Sequence, residues 1–197
     1  MKFKLLLLSL FLGLCFYSCK TSSEKKSTGL SRQDSLKIYF TGLHDSIDGY
    51  WKEMIADDDD KLFNIKRLLE EVSYTSSFSQ KAYDSLLKAH EQLVGLRYDQ
   101  QSMSNSQLID RYDATSAELI YEVINFAESN PDYEKYPLMK QLIVEIREAD
   151  HRVLFHRIKY DNYAFQYNAF LDTYPDLTEK FSKNSDAEKY PVFTLEE

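Results

Sequence analysis

Residues 137–174 read PLMKQLIVEIREADHRVLFHRIKYDNYAFQYNAFLDTY, and the apolar positions in this stretch decide the fold. One series of core-type residues recurs at strict intervals of seven, and a second series lies between its members. The first series is Leu142, Ala149, His156, Tyr163 and Phe170, and the second is Ile146, Val153, Tyr160, Tyr167 and Tyr174. A heptad seam of this length predicts one long helix packed against a neighbouring helix.

Three further stretches have helical spacing, and none shows the sustained two-residue alternation and turn chemistry of strands. They cover residues 31–74, 78–98 and 104–130. Ser77 with Gln80, and Ser104 with Gln107, have the spacing of capping boxes at the start of the second and third helices. We therefore predict an all-α protein, an up-down-up-down four-helix bundle with long first and last helices.

Four consecutive aspartates, Asp57 to Asp60, interrupt the seam of the first helix. The apolar spacing up to Met54 and from Leu62 onward stays in phase if one four-residue step is placed at Asp58. The spacing leaves open whether the run breaks the helix. Hard cations prefer several carboxylate oxygens, but four adjacent helical residues point in four directions. We therefore expect a solvated helix face or a short break here, and no cation site.

The first 18 residues predict export. Lys2 and Lys4 precede a 13-residue apolar stretch over 5–17, which would reach roughly 20 Å as a helix against a hydrocarbon core of about 30 Å. Ser18 then precedes Cys19, an order that resembles the lipobox of bacterial lipoproteins, in which the cysteine is acylated and becomes the mature N-terminus. The alternative is an ordinary secretory signal with an incidental cysteine.

These features divide the chain into four parts. They are a signal peptide over 1–18, a polar tether over 19–30, a helical bundle domain over 31–175 and an acidic C-terminal tail over 176–197. Once Cys15 leaves with the signal, Cys19 is the sole thiol, so neither a disulfide framework nor a cysteine metal cluster can form. Removing the signal also lowers the net charge from −8 to −10. An acidic surface repels phosphate backbones, so we expect no nucleic-acid partner.

The first and last helices are predicted to extend beyond the shorter middle helices, which leaves a two-helix overhang rich in aromatic residues. We call this set the aromatic stem. Its residues are Tyr39, Phe40, Tyr50 and Trp51 on the first helix and Tyr160, Tyr163, Tyr167, Phe170 and Tyr174 on the last. Two helices cannot bury so much aromatic surface between them. We expect the stem to dock on a second copy, the membrane interface or a partner, unless longer or kinked middle helices cover it.

The last helix carries a spaced pattern of Arg, Tyr, Asn and Pro. Arg157 lies three residues before Tyr160, the pair Tyr167-Asn168 follows seven residues later, and Pro175 comes after six further residues. This pattern resembles the signature of the LemA family, which has an Arg followed by two Tyr-Asn pairs and a Pro. Asp161 stands where the family has its first Asn.

The resemblance covers about residues 131–193. Pro131-Asp132-Tyr133 is similar to the family's entrance to this helix, and Tyr190-Pro191-Val192-Phe193 is similar to its aromatic tail. The resemblance implies an N-terminally anchored helical bundle outside the cytoplasm. It implies a fold and a location, and no particular reaction.

Tyr160, Tyr167 and Asn168 have a structural interpretation that we favour over a ligand site. The two tyrosines occupy seam positions, and Asn168 lies one step off the seam. An amide there can donate to and accept from a neighbouring helix. These residues, together with Tyr163, Phe170 and Trp51, are therefore our candidates for packing or for partner contact.

No motif in the sequence points to catalysis. The single Glu-x-x-His, at 148–151, has the spacing that di-iron bundles use twice, but the seam places Glu148 and His151 toward solvent. His156 lies on the seam, where we expect a packed, hydrogen-bonded histidine or, alternatively, a buried pH switch. The chain has no Gly-x-Ser-x-Gly elbow and no Gly-rich phosphate loop. We predict no enzyme, no metal and no cofactor.

The function that these patterns favour is a non-enzymatic, lipid-anchored protein of the bacterial cell envelope. The bundle would serve as a scaffold or interaction module, with the aromatic stem as its contact surface for a partner or a second copy. An alternative is a small-molecule- or metal-handling bundle in the periplasm, built around His156 and nearby tyrosines. A third hypothesis makes residues 190–193 a docking peptide, against the simpler expectation of a loosely packed tail.

Overall fold

A computed structural model describes residues 30–182 and 187–193 of the chain. Throughout these ranges the structure is all-helical and without strands, so the predicted fold class is confirmed at that level. The five helices are α1 (Arg32–Ser73), α2 (Gln80–Gly95), α3 (Ser106–Glu128), α4 (Pro137–Thr173) and α5 (Pro175–Phe181). The predicted signal peptide, Cys19 and nearly all of the predicted tether lie outside the described residues.

Contacts divide the chain into two units, Met1–Asp34 and Ser35–Glu197, and the packing described below belongs to the second unit. In the first unit, the Ser31 hydroxyl accepts a hydrogen bond from the Asp34 backbone N–H, as an N-terminal cap does. None of the helices among residues 30–182 and 187–193 is both long enough and apolar enough to cross a bilayer.

The first and last long helices end within one residue of the prediction, whereas α2 and α3 end three and two residues early. The two predicted capping boxes are wrong. In place of Ser77, Ser79 caps α2 by accepting from the Ala82 backbone N–H. Ser77 instead donates its hydroxyl proton to the carboxylate of Asp132, in the turn before α4. A serine used in that way cannot cap, so the helix begins two residues later than predicted.

The third helix also starts later than predicted. Asn105, and not Ser104, lies at the N-cap of α3, and its side-chain oxygen accepts from the Gln107 backbone N–H. Ser104 belongs to a short 3₁₀ turn over Ser102–Ser104, where its hydroxyl donates to the Gln101 carbonyl. The connection between α2 and α3 is therefore longer and more structured than the capping pattern predicts.

The aspartate run does not break α1, which continues from Arg32 to Ser73. The expectation of a solvated face is wrong for Asp58, which lies at the in-phase position of the seam and is only 5% exposed. Lys61, one turn later, is 2% exposed. The apolar seam of α1 is therefore continuous in phase, and a buried aspartate occupies its position 58.

The four long helices share a first core. Each contributes side chains that are almost completely buried, among them Leu68 of α1, Leu93 of α2, Leu119 of α3 and Leu142 of α4. Burying a leucine side chain contributes on the order of 1.5–3 kcal/mol relative to leaving it exposed, so this core is the main source of stability.

A second core lies around the aromatic stem and is covered by the chain's own C-terminal residues. Phe40 of α1 and Phe170 of α4 meet there with ring centroids 5.1 Å apart. Met103, from the connection between α2 and α3, belongs to the same buried cluster. We call residues 187–193 the C-terminal segment. Its Tyr190, Val192 and Phe193 pack against the cluster, as does Phe181 of α5. Part of the region predicted as an acidic tail is thus in contact with the stem.

Candidate functional site

The C-terminal segment is held to α4 by hydrogen bonds between side chains and its backbone. Asn168 makes two of them: its Oδ1 accepts from the Tyr190 N–H, and its Nδ2 donates to the Tyr190 carbonyl, both at 2.9 Å. Asp161 Oδ1 accepts from the Phe193 N–H at 2.8 Å. Contacts with the backbone bind an extended chain whatever its side chains are.

The spacing of these two anchors explains their fit. Asp161 and Asn168 are seven residues apart, which is about two helical turns or roughly 10.5 Å along α4. Their partners Phe193 and Tyr190 are three residues apart, which is about 10 Å in an extended chain. The segment therefore runs antiparallel to α4, with its backbone in register with every second turn of the helix.

A fourth bond comes from Tyr160, whose hydroxyl donates to the Pro191 carbonyl at 3.1 Å. Gln100 donates to the same hydroxyl at 3.3 Å. Burial raises the pKa of Tyr160 to about 12, despite the opposing hydrogen bond from Gln100, so the phenol keeps its proton throughout the physiological range. Tyr160 is therefore a permanent donor to the segment.

Two aromatic side chains of the segment enter separate ring clusters. The Tyr190 ring lies edge-on to Tyr167, with centroids 5.0 Å apart, and 6.1 Å from His44. The Phe193 ring is stacked 6.4 Å from Trp51 and lies edge-on to Tyr160 at 5.6 Å. Aromatic pairs in such arrangements contribute about 0.5–1.5 kcal/mol beyond their buried area.

Arg157 joins the Phe193 cluster to α3. Its guanidinium carbon lies 4.9 Å from the centroid of the Phe193 ring, while two of its nitrogens donate to the Asp113 carboxylate at 2.6 and 2.7 Å. It also donates to the Tyr98 hydroxyl at 2.7 Å. Only arginine can make this planar, bidentate contact, and the contact with Asp113 holds the guanidinium in place against the Phe193 ring. The side chains that hold the segment form what we call the segment-binding groove: Arg157, Tyr160, Asp161, Tyr167 and Asn168 of α4, and Trp51 of α1.

The structure places the predicted contact residues at different depths. Tyr160, Tyr167 and Phe170 are buried, at no more than 4% exposure, whereas Tyr163 and Trp51 are half-buried. The prediction that Asn168 bonds to a neighbouring helix is wrong, because its amide instead bonds the backbone of Tyr190 in the non-helical segment. The position of Asn168 beside the seam correctly indicated a side chain that bonds to another part of the chain. Its partner could not be predicted, because the segment has no periodic pattern.

A cluster of charged and polar side chains around Asp58 was not predicted from the sequence. Lys61 Nζ lies 2.9 Å from one Asp58 oxygen, Arg97 donates to the other at 2.8 Å, and the Tyr112 hydroxyl lies 2.6 and 2.8 Å from the two oxygens. Lys61 also reaches Asp150 of α4 at 3.3 Å. The cluster joins α1, α3 and α4 to Arg97, in the connection that follows α2. The sequence signal that could have revealed it is the in-phase position of Asp58 on the α1 seam.

The charges around Asp58 set its protonation state. Burial alone would raise the pKa of Asp58, but the charge of Lys61 and hydrogen bonds from Tyr112, Lys61 and Arg97 outweigh it and lower the pKa. Burial and the adjacent Asp58 charge raise the pKa of Tyr112, so its phenol stays a donor. A cavity of about 20 Å³ beside this cluster has room for about one water molecule.

His156 lies between two carboxylates of α1. Its Nε2 is 3.0 Å from an Asp57 oxygen. Its Nδ1 is 3.2 Å from a Glu53 oxygen but has no hydrogen-bond partner of suitable geometry among the described residues. The described residues contain no group of three or more His, Cys, Asp or Glu side chains arranged to hold a metal ion. Glu148 and His151 are exposed, as the seam predicts. The metal-handling alternative stays a prediction without a site among these residues.

We expect Asn168→Ala to release the C-terminal segment. Losing two part-buried hydrogen bonds should lower the free energy of unfolding by about 1–3 kcal/mol. Trp51, the sole tryptophan, should report the change through red-shifted fluorescence as Phe193 leaves its ring. Asn162→Ala is the matched control, because Asn162 is exposed on the same helix and its side chain accepts from Gln166 and, among the described residues, has no hydrogen bond to the segment. Equal emission spectra for the two variants would contradict the role of Asn168.

Comparison with known proteins identified no relative of this chain. No protein-family model, curated protein or solved structure matches the chain. The likeness to the LemA family over residues 131–193 therefore stays a prediction from the sequence pattern.

Proposed function

We propose that this chain is a lipid-anchored, LemA-like protein of the bacterial cell envelope, whose helical bundle acts as a non-enzymatic scaffold or interaction module. The observation that carries the interaction role is the segment-binding groove. There, α4 side chains bind the backbone of an extended segment at Tyr190, Pro191 and Phe193. Helical cores are held by side-chain packing, and an array of this kind is typical of peptide recognition.

The proposed anchor rests on the N-terminal sequence. Residues 1–18 serve as the signal peptide, Cys19 carries the lipid, and residues 19–30 form a polar tether. The lipid keeps the bundle at the periplasmic face of a membrane or at the cell surface. Membrane contact is then made through the acyl chains, and protein contact through the groove.

We further propose the up-down-up-down order for the bundle, and four contacts support it. On α1, the Leu62 carbonyl meets His90 of α2, and Asp58 meets Arg97, two residues beyond the end of α2, so these two helices run in opposite directions. Lys61 of α1 contacts Asp150 of α4. Because Phe40, earlier in α1, contacts Phe170, later in α4, these two helices are also antiparallel.

The experiment that tests this function uses cells that produce the full chain. Radiolabelled palmitate should label the protein and the protein should sediment with membranes, whereas Cys19→Ser should abolish both because the acceptor thiol is gone. Crosslinking in intact cells, followed by mass spectrometry, should capture envelope proteins or a second copy with the unmodified chain and lose them with Cys19→Ser.

Cys15→Ser is the matched control, since this cysteine is predicted to leave with the signal peptide. It should retain label, membrane association and crosslinked products. Palmitate labelling that persists in Cys19→Ser would contradict the proposed anchor. Labelling without any crosslinked protein would contradict the interaction role.

A further inference from the structure

The segment-binding groove holds the C-terminal segment as it would hold a separate peptide. Four hydrogen bonds from α4 reach the segment's backbone, at Tyr190, Pro191 and Phe193. A fifth bond to α4 comes from a side chain of the segment, because the Lys189 ammonium donates to the exposed Asp172 carboxylate at 2.8 Å. The two ring contacts lie at either end of this stretch, at Tyr167 and at Trp51. All of these contacts involve residues 189–193.

We propose that the groove is a recognition site for an extended Tyr-Pro-x-Phe peptide, and that a second copy of this chain supplies that peptide by exchange of residues 190–193. This inference rests on the proposed interaction role and names its partner. The groove and its ligand are present in every copy, so exchange needs no surface other than the one described.

The position of Pro191 fixes the register of the peptide. Proline has no backbone N–H, and at this position only its carbonyl is used, by Tyr160. If the peptide slipped by one residue, Asn168 Oδ1 would face Pro191 and lose its donor. A slip in the other direction would turn the Tyr190 and Phe193 rings to the opposite face of an extended chain. The groove therefore selects this sequence in one alignment.

The pattern of contacts also defines which side chains the groove selects. The first position needs an aromatic ring that packs edge-on to Tyr167. The last needs a ring between Trp51 and the Arg157 guanidinium, where the positive charge favours the face of an aromatic ring. An aliphatic residue at the last position would lose both interactions, so the expected ligand is aromatic at both ends.

Eight residues, SKNSDAEK at 182–189, connect Phe181 of α5 to Tyr190 and are polar apart from one alanine. Exchange would also release the ion pair of Lys189 with Asp172. Eight extended residues reach up to about 26–29 Å. The contacts made within one chain and between two chains are identical, so their balance depends on local concentration. A short link favours the intramolecular form in dilute solution, at an effective concentration in the millimolar range.

Tethering at one membrane surface would shift this balance toward exchange, because the lipid confines all copies to a thin layer. In dilute solution the intact chain should keep its own segment bound and shield its groove. Removing the Tyr190 and Phe193 rings should open the groove to a peptide added from outside.

The test uses the full chain carrying Tyr190→Ala and Phe193→Ala together, and a fluorescent peptide of residues 187–193, AEKYPVF. We expect the peptide to bind this variant saturably, as measured by fluorescence anisotropy. Its affinity should be at least about 10-fold higher than for the unmodified chain, a difference of about 1.4 kcal/mol in binding free energy. Adding Asn168→Ala to this variant should weaken binding at least about 10-fold, and adding Asn162→Ala should leave it unchanged. A peptide with both aromatic residues replaced by alanine should not bind.

The second arm tests the partner. The chain with Tyr190→Ala and Phe193→Ala is mixed with a chain that has an intact segment and a groove disabled by Asp161→Ala and Asn168→Ala. We expect a mixed dimer by sedimentation velocity and no dimer from either chain alone. Peptide binding without the mixed dimer would overturn the second copy as the occupant. Absence of peptide binding would overturn the recognition site.

Two further measurements keep these outcomes interpretable. Helical circular dichroism is recorded for every variant, and Phe193→Ala alone replaces the double variant if the latter loses its helical signal. Failure of the proposed anchor would appear only as lost palmitate labelling at Cys19 and would leave peptide binding intact. Failure of the groove would abolish peptide binding and leave the label in place.

Discussion

Replacing Asp58 with asparagine should lower the free energy of unfolding by about 3 kcal/mol. The substitution keeps the shape of the side chain and its contact with Tyr112 but removes the negative charge. Lys61, which is 2% exposed, then loses its nearest counter-charge inside the bundle. Removing one partner of a buried ion pair destabilises by about 3–5 kcal/mol, because the other charge stays buried. Lys61 would keep its contact with Asp150, so we expect a loss at the lower end of that range.

Asp60→Asn is the matched control for this prediction. Asp60 belongs to the same aspartate run but is exposed, so its replacement should change the free energy of unfolding by no more than about 0.5 kcal/mol. Urea unfolding followed by circular dichroism at 222 nm measures both variants. Equal losses would mean that Asp58 contributes only as one more surface charge.

The same substitution should also change the response to acid. The pKa of Asp58 is lower in the folded protein than its ordinary value of 3.8, so the unfolded chain takes up the proton first. The stabilisation is therefore complete above about pH 4 and is lost as the pH falls through the folded-state pKa. Unfolding free energies of the unmodified chain and of Asp58→Asn should converge in acid and differ most near neutrality.

The helices could be predicted because their signal is repeated along the chain. The α4 seam repeats every seven residues, and an error at any one position, such as the partly exposed Tyr163, does not change the period. Helix starts depend on single hydrogen bonds. Ser77 and Ser79 are chemically alike, and Asp132, 55 residues away in the chain, takes the hydroxyl of Ser77. A local pattern contains no information about such a distant partner.

The segment-binding groove was predictable only in part, for a related reason. The groove side of the contact lies on a helix, so Tyr160, Tyr167 and Asn168 could be selected from their heptad positions. The ligand side is a four-residue extended stretch with no period. The predicted excess of aromatic surface on the stem was a correct observation, and the described structure shows that part of its cover comes from Tyr190 and Phe193.

Replacing Leu142 with alanine should lower the free energy of unfolding by about 2–5 kcal/mol. Leu142 is fully buried in the first core, and truncation removes its apolar contacts and leaves a cavity that its neighbours fill only partly. Leu154→Ala is the control, because Leu154 lies on the same helix but is 50% exposed, and its loss should be below about 1 kcal/mol. Both substitutions change helix propensity equally, so their difference in urea unfolding isolates burial. Similar losses at both positions would mean that α4 is rotated about its axis. The groove would then be misplaced as well, since Asp161 and Asn168 reach the C-terminal segment only while Leu142 faces the core.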